Sequence, residues 1–359
     1  MGSSKRAPVV VWNLTEDCNL SCRHCYAADS SKTQKEAIST LIAKKFIDDI
    51  SGMKIPALLF SGGEPLLRDD IFHLGEYASK KGIYTALSTN GTLITKEAAR
   101  AIKDAGFSYV GISLDGLKES HDNFRLSAGS FDQSMKGLAN CIKQGIKTGV
   151  RFTLSKYNYK DLNELILFLS TQKVNRFCLY HLVYSKTGNA IAEHDIDTDL
   201  KRETMDAFLS RVEEIANKGI NMEILTVDNH ADGIYLYNRL KDKNSELTSC
   251  AQKLLSSGSG CSAARGIVSV DWNGDVHPCQ FWRHVSLGNI KDRPFSQIWD
   301  DSSNEFLNTL RNGRENLKGR CGRCKYKKGC GGCRLRAEVK FSDVWAEDPA
   351  CYLTESEIS

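Results

Sequence analysis

Cys18-Asn-Leu-Ser-Cys22-Arg-His-Cys25 puts three thiols on one short segment with the spacing C-x3-C-x2-C. Three thiolates so arranged can bind three irons of a [4Fe–4S] cube and leave the fourth iron without a protein ligand. An open iron adds little to electron transfer, but it can bind a substrate or cofactor. A zinc loop with His24 as fourth ligand is the alternative. It fits poorly, because zinc loops usually pair two short C-x2-C units. The chain has 13 cysteines, an odd number, and its N-terminal stretch MGSSKRAPVVVWNL lacks the long apolar segment of a secretory signal. A disulfide framework is therefore disfavoured and metal ligation favoured. Seven further cysteines lie between Cys261 and Cys351, whereas Cys141 and Cys178 sit in apolar stretches and read as core packing.

The elements that must position these thiols are legible as a repeated pattern. Apolar runs start near Val9, Ala57, Ile83, Tyr109, Thr148 and Arg176, each followed by a helix-like stretch. Six such βα units predict an α/β fold with a parallel sheet, either open and doubly wound or a partly closed barrel. In both, active-site residues belong on loops at the C-terminal ends of the strands. The special residues fall there: the Cys loop after the first strand, Ser61-Gly-Gly-Glu-Pro65 after the second, Ser88-Thr-Asn-Gly91 after the third, and Asp115-Gly116 after the fourth. Residues 221–244 look like a further strand and helix, and Ser256-Ser-Gly-Ser-Gly260 like a flexible joint. From Cys261 onward Cys, Gly and basic residues dominate, with too little apolar content for a good core of its own. The expected division is therefore residues 1–218, a bridging segment 219–258, and a small cluster-supported unit 259–359.

The Cys loop resembles that of the radical S-adenosylmethionine (SAM) enzymes, C-x3-C-x-aromatic-C, with His24 at the aromatic position. The resemblance implies a partial (β/α)6 TIM-like barrel and a [4Fe–4S] cluster on Cys18, Cys22 and Cys25. It also implies SAM chelated to the free iron and cleaved to a 5′-deoxyadenosyl radical. Gly62-Gly63-Glu64-Pro65 is similar to the family's GGEP motif, which contacts the SAM amino group. Ser88, Asn90, Ser113 and Asp115 stand where the family makes ribose and carboxylate contacts. Arg125 resembles the arginine that pairs with the SAM carboxylate, and Arg151 is a rival for that task.

Without analogy, Cys321-Gly-Arg-Cys324 and Cys330-Gly-Gly-Cys333 could form a zinc ribbon, which leaves Cys261, Cys279 and Cys351 without a role. The full set resembles the SPASM extension of radical SAM enzymes, which carries auxiliary Fe–S clusters. The last pair departs from that pattern, with two residues between the cysteines where the family has three. The resemblance implies one complete set, Cys321, Cys324, Cys330 and Cys351. It implies a second, incomplete set of Cys261, Cys279 and Cys333, completed by Cys250 or left open for substrate.

Val9–Thr15, Arg176–Val183, Leu225–Gly233, His277–Trp282 and Cys351-Tyr-Leu-Thr resemble the tetrapyrrole-modifying subgroup, which acts in haem d1 synthesis and in the siroheme-dependent haem pathway. What this implies is removal of two acetate side chains from 12,18-didecarboxysiroheme to give Fe-coproporphyrin III. A haem d1 biosynthesis protein, a haem-forming propionate decarboxylase and a peptide maturase are the enzymatic alternatives. An Fe–S scaffold or sensor is the non-enzymatic one. A flat, multiply acidic substrate needs aromatic walls and cations. Phe281, Trp282, Tyr180 and Tyr184 are candidates for the first, and Arg283, Arg334 and Arg336 for the second. His181, His230, His277 and His284 are candidates for contacting the tetrapyrrole iron or a carboxylate, with His230 and His277 foremost.

Composition bounds the partners. Lys+Arg 48 against Asp+Glu 44 is too small a surplus to suggest nucleic-acid binding. No stretch approaches the roughly 20 apolar residues of a membrane span. The expectation is a cytoplasmic protein served by a one-electron donor such as a ferredoxin or flavodoxin.

Overall fold

The computed structural model describes residues 7–28, 37–186, 192–257 and 260–359. Each apolar run becomes a strand: β1 (Val9–Asn13), β2 (Leu58–Ser61), β3 (Thr85–Thr89), β4 (Tyr109–Ser113), β5 (Thr148–Leu154) and β6 (Arg176–His181). Four more follow: β7 (Glu223–Val227), β8 (Ile267–Val270), β9 (Asp275–His277) and β10 (Gly288–Asn289). They form one sheet in the order β10-β9-β8-β1-β2-β3-β4-β5-β6-β7. Strands β8 through β7 in that order all pair parallel. A doubly wound sheet requires a reversal of strand order, and none occurs between β1 and β7. The sheet is therefore the wall of a partly closed barrel. Among the described residues β7 is an edge strand and does not pair with β8, so the barrel is split there.

The crossover helices are α1 (Thr40–Gly52), α2 (Ile71–Lys80), α3 (Lys96–Asp104), α4 (Lys118–Arg125), α5 (Ser130–Lys143), α6 (Leu162–Ser170) and α7 (Thr198–Asn217). They are followed by α8 (Ala231–Asp242) and α9 (Thr248–Ser257). Side-chain caps start several of them: Ser39, Thr95 and Asp197 accept the backbone N–H groups of Ile42, Ala98 and Leu200. All five residues of β3 are buried, as a strand covered on both faces demands.

Two features depart from the sequence reading. The stretch after Asp115 contains a helix, α4, where a loop is expected. Residues 267–270, expected in a separate small unit, supply β8, which pairs with β1 in the register Val9↔Ile267 to Trp12↔Val270. The poor apolar content of this segment is offset by sharing: Trp282, Phe295 and Trp299 are buried in the same core as the barrel helices, with Phe295 edge-on to Phe46 of α1 at 5.7 Å. The joint expected at residues 256–260 falls partly outside the described residues. Among the described residues no helix is long and apolar enough to cross a membrane.

Candidate active site and cysteine-lined cavities

A cavity of about 250 Å³ lies inside the barrel, lined by the C-terminal ends of its strands and by Cys18, Cys22 and Cys25. The Cys loop is tied to its neighbours on three sides. Asn90 donates to Asn19 at 2.9 Å, the Arg23 amide donates to the Phe124 carbonyl at 3.1 Å, and Arg283 donates to the carbonyls of Tyr26 and Ala27 at 3.3 and 3.2 Å. The Gly62–Gly63 turn zips onto the residues before Cys18, with Gly63 N to Thr15 O at 2.8 Å and Glu64 N to Asp17 O at 2.7 Å. A Cβ on Gly63 would lie 2.2 Å from the Asp17 carbonyl oxygen, so only glycine permits this approach.

Gly62, Gly63, Ser88, Asn90 and Ser113 line the cavity, and the buried Ser88 hydroxyl has no protein partner among the described residues. Glu64 and Pro65 do not line it. The Glu64 carboxylate is fully buried and accepts from Thr89 Oγ1 at 2.7 Å, Asn90 N at 2.8 Å and Leu66 N at 3.2 Å. Burial pushes its pKa up to about 7 against those hydrogen bonds. Here Glu64 fastens the β2 loop to the β3 loop, and Pro65 opens the short 3-10 turn behind it.

The two arginines divide the work differently from the sequence reading. Arg125 is committed: it pairs with the fully buried Asp115 and donates to Cys22 Sγ at 3.4 Å. Asp115 sits behind Arg125 and does not line the cavity. Its other oxygen accepts from Thr153 N at 2.6 Å. Burial acts to raise the Asp115 pKa, but the Arg125 charge, with help from His24 and the Thr153 amide, holds the carboxyl low. Arg151, on β5, lines the cavity, lies over the Tyr180 ring at 5.8 Å and has no carboxylate partner among the described residues. Gly111 makes room for it, since a Cβ there would meet Arg151 Nε at 2.7 Å. A desolvated guanidinium without an anion is a ready site for a ligand carboxylate.

His24 behaves as the aromatic its position calls for. Its ring stacks on Phe124 with centroids 4.4 Å apart and 11° between planes, and burial pushes its pKa down to about 4. Burial pushes the Cys18 thiol up to about 11 and the Cys22 thiol upward, although Arg125 opposes the latter. Such thiols ionise readily only against a metal.

The C-terminal cysteines sort into two more cavities. Cys321, Cys324, Cys330 and Cys351 face one, beside Asp348. Cys261, Cys279 and Cys333 face the other, beside Asp228 and His230. Gly331 and Gly332, at φ +66° and +60°, turn the chain so that Cys330 and Cys333 enter different cavities. The two-residue spacing is thus compatible with both sets. The second cavity shares Val183, Asp228, Ile267, Gln280 and Phe281 with the large one, so it sits in the split between β7 and β8.

The donor sets fit iron–sulfur clusters. All 13 cysteines are free thiols, and among the described residues no three ligating side chains converge tightly enough for a single ion. Instead, thiols stand around the walls of cavities, the arrangement a multi-iron cluster needs.

The remaining candidates are placed as follows. Tyr180, His181 and Phe281 line the large cavity, and Trp282 and His230 the second cysteine cavity. Tyr184 donates to Asp195 at 2.8 Å, and His284 is held by Glu338 at 3.0 Å. His277 is buried between Asp271 and the Val285 carbonyl and reaches neither cavity. The arginines expected to bind substrate are used by the fold: Arg283 stacks on Trp272 at 4.3 Å, Arg334 donates to the Val344 and Ala346 carbonyls, and Arg336 pairs with Asp348. Cys250 is exposed on α9 and lines neither cysteine cavity.

Residues 12–169 match the model of the Radical SAM superfamily, and residues 261–325 match the SPASM iron–sulfur cluster-binding domain. The chain is 46% identical to the Fe-coproporphyrin III synthase of Methanosarcina barkeri, over 99% of this chain and 90% of that one. It is 40% identical to the pre-heme d1 synthase of Dinoroseobacter shibae, over 98% and 87%. The solved structure of Streptococcus suis SuiB bound to S-adenosylmethionine shares the fold, with a TM-score of 0.76 at 20% identity over 97% of this chain and 78% of that one. An open-ended Cys loop on a split parallel barrel, with matches to both family models and to full-length relatives, leads to one assignment: the chain belongs to the radical SAM superfamily and carries a SPASM iron–sulfur domain.

Proposed function

We propose that this protein removes two acetate side chains from 12,18-didecarboxysiroheme and yields Fe-coproporphyrin III, in an alternative route of haem biosynthesis. The observation that carries this reading is the 46% identity to the Fe-coproporphyrin III synthase along nearly the full length of both chains. The pre-heme d1 synthase, at 40%, supports the neighbouring reading, a haem d1 biosynthesis step on a similar tetrapyrrole.

Cys18, Cys22 and Cys25 would hold the SAM-binding [4Fe–4S] cluster, which together with SAM supplies a hydrogen-abstracting 5′-deoxyadenosyl radical. The protein's part is to bind, orient and exclude water. Arg151 would take the SAM carboxylate; Ser88, Asn90, Ser113 and the Gly62–Gly63 backbone would line the nucleoside and amino-acid portions. Arg125 would stabilise the Cys22 thiolate from behind, and Glu64, Pro65 and Asp115 would fix the loops. Cys321, Cys324, Cys330 and Cys351 would hold one auxiliary cluster, and Cys261, Cys279 and Cys333 a second.

The same reading divides the chain into the SAM barrel at 1–218, a bridge at 219–258 and the auxiliary unit at 259–359, which lends strand β8 to the barrel sheet. Tyr180, Phe281 and His181 are the proposed substrate walls. A ferredoxin- or flavodoxin-like donor is the expected electron source, in a cytoplasmic setting.

The test is 5′-deoxyadenosine release by the anaerobically reconstituted protein with SAM and dithionite. Didecarboxysiroheme should accelerate release several-fold, whereas Fe-coproporphyrin III and peptides should not. Acceleration by Fe-coproporphyrin III instead would point to propionate decarboxylation. No release under any condition would favour a scaffold or sensor.

A further inference from the structure

We propose that His230 is the fourth protein ligand of the cluster held by Cys261, Cys279 and Cys333. The inference rests on the second auxiliary site described above and names the residue that completes it. His230 lies on the β7–α8 loop and lines the same cavity as the three thiols. Cys333 and His230 are the side chains that act most directly on the Cys261 sulfur, so the imidazole is a neighbour of the thiols on the cavity wall. Cys250, the cysteine that could have completed the set, is exposed on α9 and is absent from the cavity wall.

The backbone holds His230 there. Asp228, two residues earlier, adopts φ +69°, a left-handed conformation that a non-glycine residue keeps only when its surroundings impose it. Arg336 imposes it by donating to the Asp228 carbonyl at 2.7 Å. The loop is thereby turned so that the Asp228 carboxylate borders both cavities while His230 faces the thiols.

Charge favours imidazole over a fourth anion. Asp228 Oδ2 is buried with no partner among the described residues. A fourth thiolate would add negative charge beside a buried carboxylate whose nearby guanidinium, Arg336, is already paired with Asp348, and a neutral imidazole does not. Imidazole in place of thiolate also raises a cluster's reduction potential.

The experiment uses full-length protein, reconstituted anaerobically with iron and sulfide, in a background where Cys18, Cys22 and Cys25 are alanine. Pulsed EPR of the reduced clusters, with and without 15N-histidine labelling, reads bound imidazole directly. The expected result is a directly bound nitrogen that shifts with 15N and vanishes in His230→Ala. In His230→Cys the cluster should persist at a lower midpoint potential, which covers the case where His230→Ala loses the cluster altogether. Cys250→Ala should match the parent in iron content and spectrum. Two loaded auxiliary clusters without a bound nitrogen would overturn the inference alone, whether the ligand proved to be Asp228, Cys250 or substrate. If Cys279→Ala binds as much iron as its parent, the second cluster does not exist, and the underlying assignment falls with the inference.

Discussion

Arg336 and Asp348 form a bidentate ion pair, Nε–Oδ1 and Nη2–Oδ2 both 2.9 Å, with neither side chain more than 2% exposed. The pair stands between the two C-terminal cysteine cavities. Asp348 Oδ2 accepts the Cys333 amide at 2.7 Å, and the Asp348 amide donates to Cys321 Sγ at 3.3 Å. Arg336 reaches across to the carbonyls of Leu182 and Asp228. Burial would raise the Asp348 pKa, but Arg336 overrides it and keeps the carboxyl ionised far below its usual range.

Breaking this pair should be costly. Arg336→Met leaves a buried carboxylate unpaired, a loss of about 3–5 kcal/mol. It also frees the Asp228 loop. Thermal unfolding and iron content together check this: a lowered Tm with loss of auxiliary iron is expected, with partial recovery in Arg336→Met/Asp348→Asn.

The two cavity arginines should separate in their effects. Arg151→Ala removes a charge-assisted contact of about 1.5–3 kcal/mol, roughly a 10- to 100-fold weaker Kd for SAM, while the cluster spectrum stays unchanged. Arg125→Lys loses the hydrogen bond to Cys22 and should lower the potential of the N-terminal cluster. Calorimetry with SAM and an EPR-monitored redox titration distinguish them. Equal losses of SAM affinity in both variants would contradict the division.

Gly63→Ala should act on the Cys loop rather than on the fold. Its new methyl would press on the Asp17 carbonyl and part the two loops. Iron analysis should then show loss of the N-terminal cluster with the C-terminal sets still loaded.

His121 gives a pH dependence with a defined sign. Its ring is buried, and Nδ1 accepts the Asp115 amide at 3.1 Å, which requires the neutral form. Burial pushes its pKa from 6.5 down to about 4. The unfolded chain therefore binds the extra proton first, and stability present above pH 6.5 is lost as pH falls toward 4. The loss is about 3 kcal/mol from this residue. Denaturant titrations across that window should show a shallower slope in His121→Phe.

Much of this was legible in the sequence. The six βα units and the sorting of seven C-terminal cysteines into a set of four and a set of three follow from local pattern and family spacing. What was not legible is long-range. The β8 run Ile267–Val270 is four residues long, and nothing local says that it pairs with Val9–Trp12. Arg283, Arg334 and Arg336 read in sequence as candidates for substrate carboxylates, and only their contacts show that they serve carbonyls, a sulfur and a carboxylate of the fold. Glu64 was found by its motif, but its inward bonds to Thr89 and Asn90 depend on how two loops meet. Asp228 carried no motif signal beyond its place in the Leu225–Gly233 segment.

The most direct test is the mass of the tetrapyrrole after anaerobic incubation of the reconstituted protein with didecarboxysiroheme, SAM and dithionite. The expected product has lost two acetate side chains, each together with the hydrogen of the neighbouring ring carbon, and matches Fe-coproporphyrin III in mass, with 5′-deoxyadenosine formed alongside. Unaltered tetrapyrrole with 5′-deoxyadenosine still accumulating would contradict the substrate while leaving the radical SAM chemistry in place.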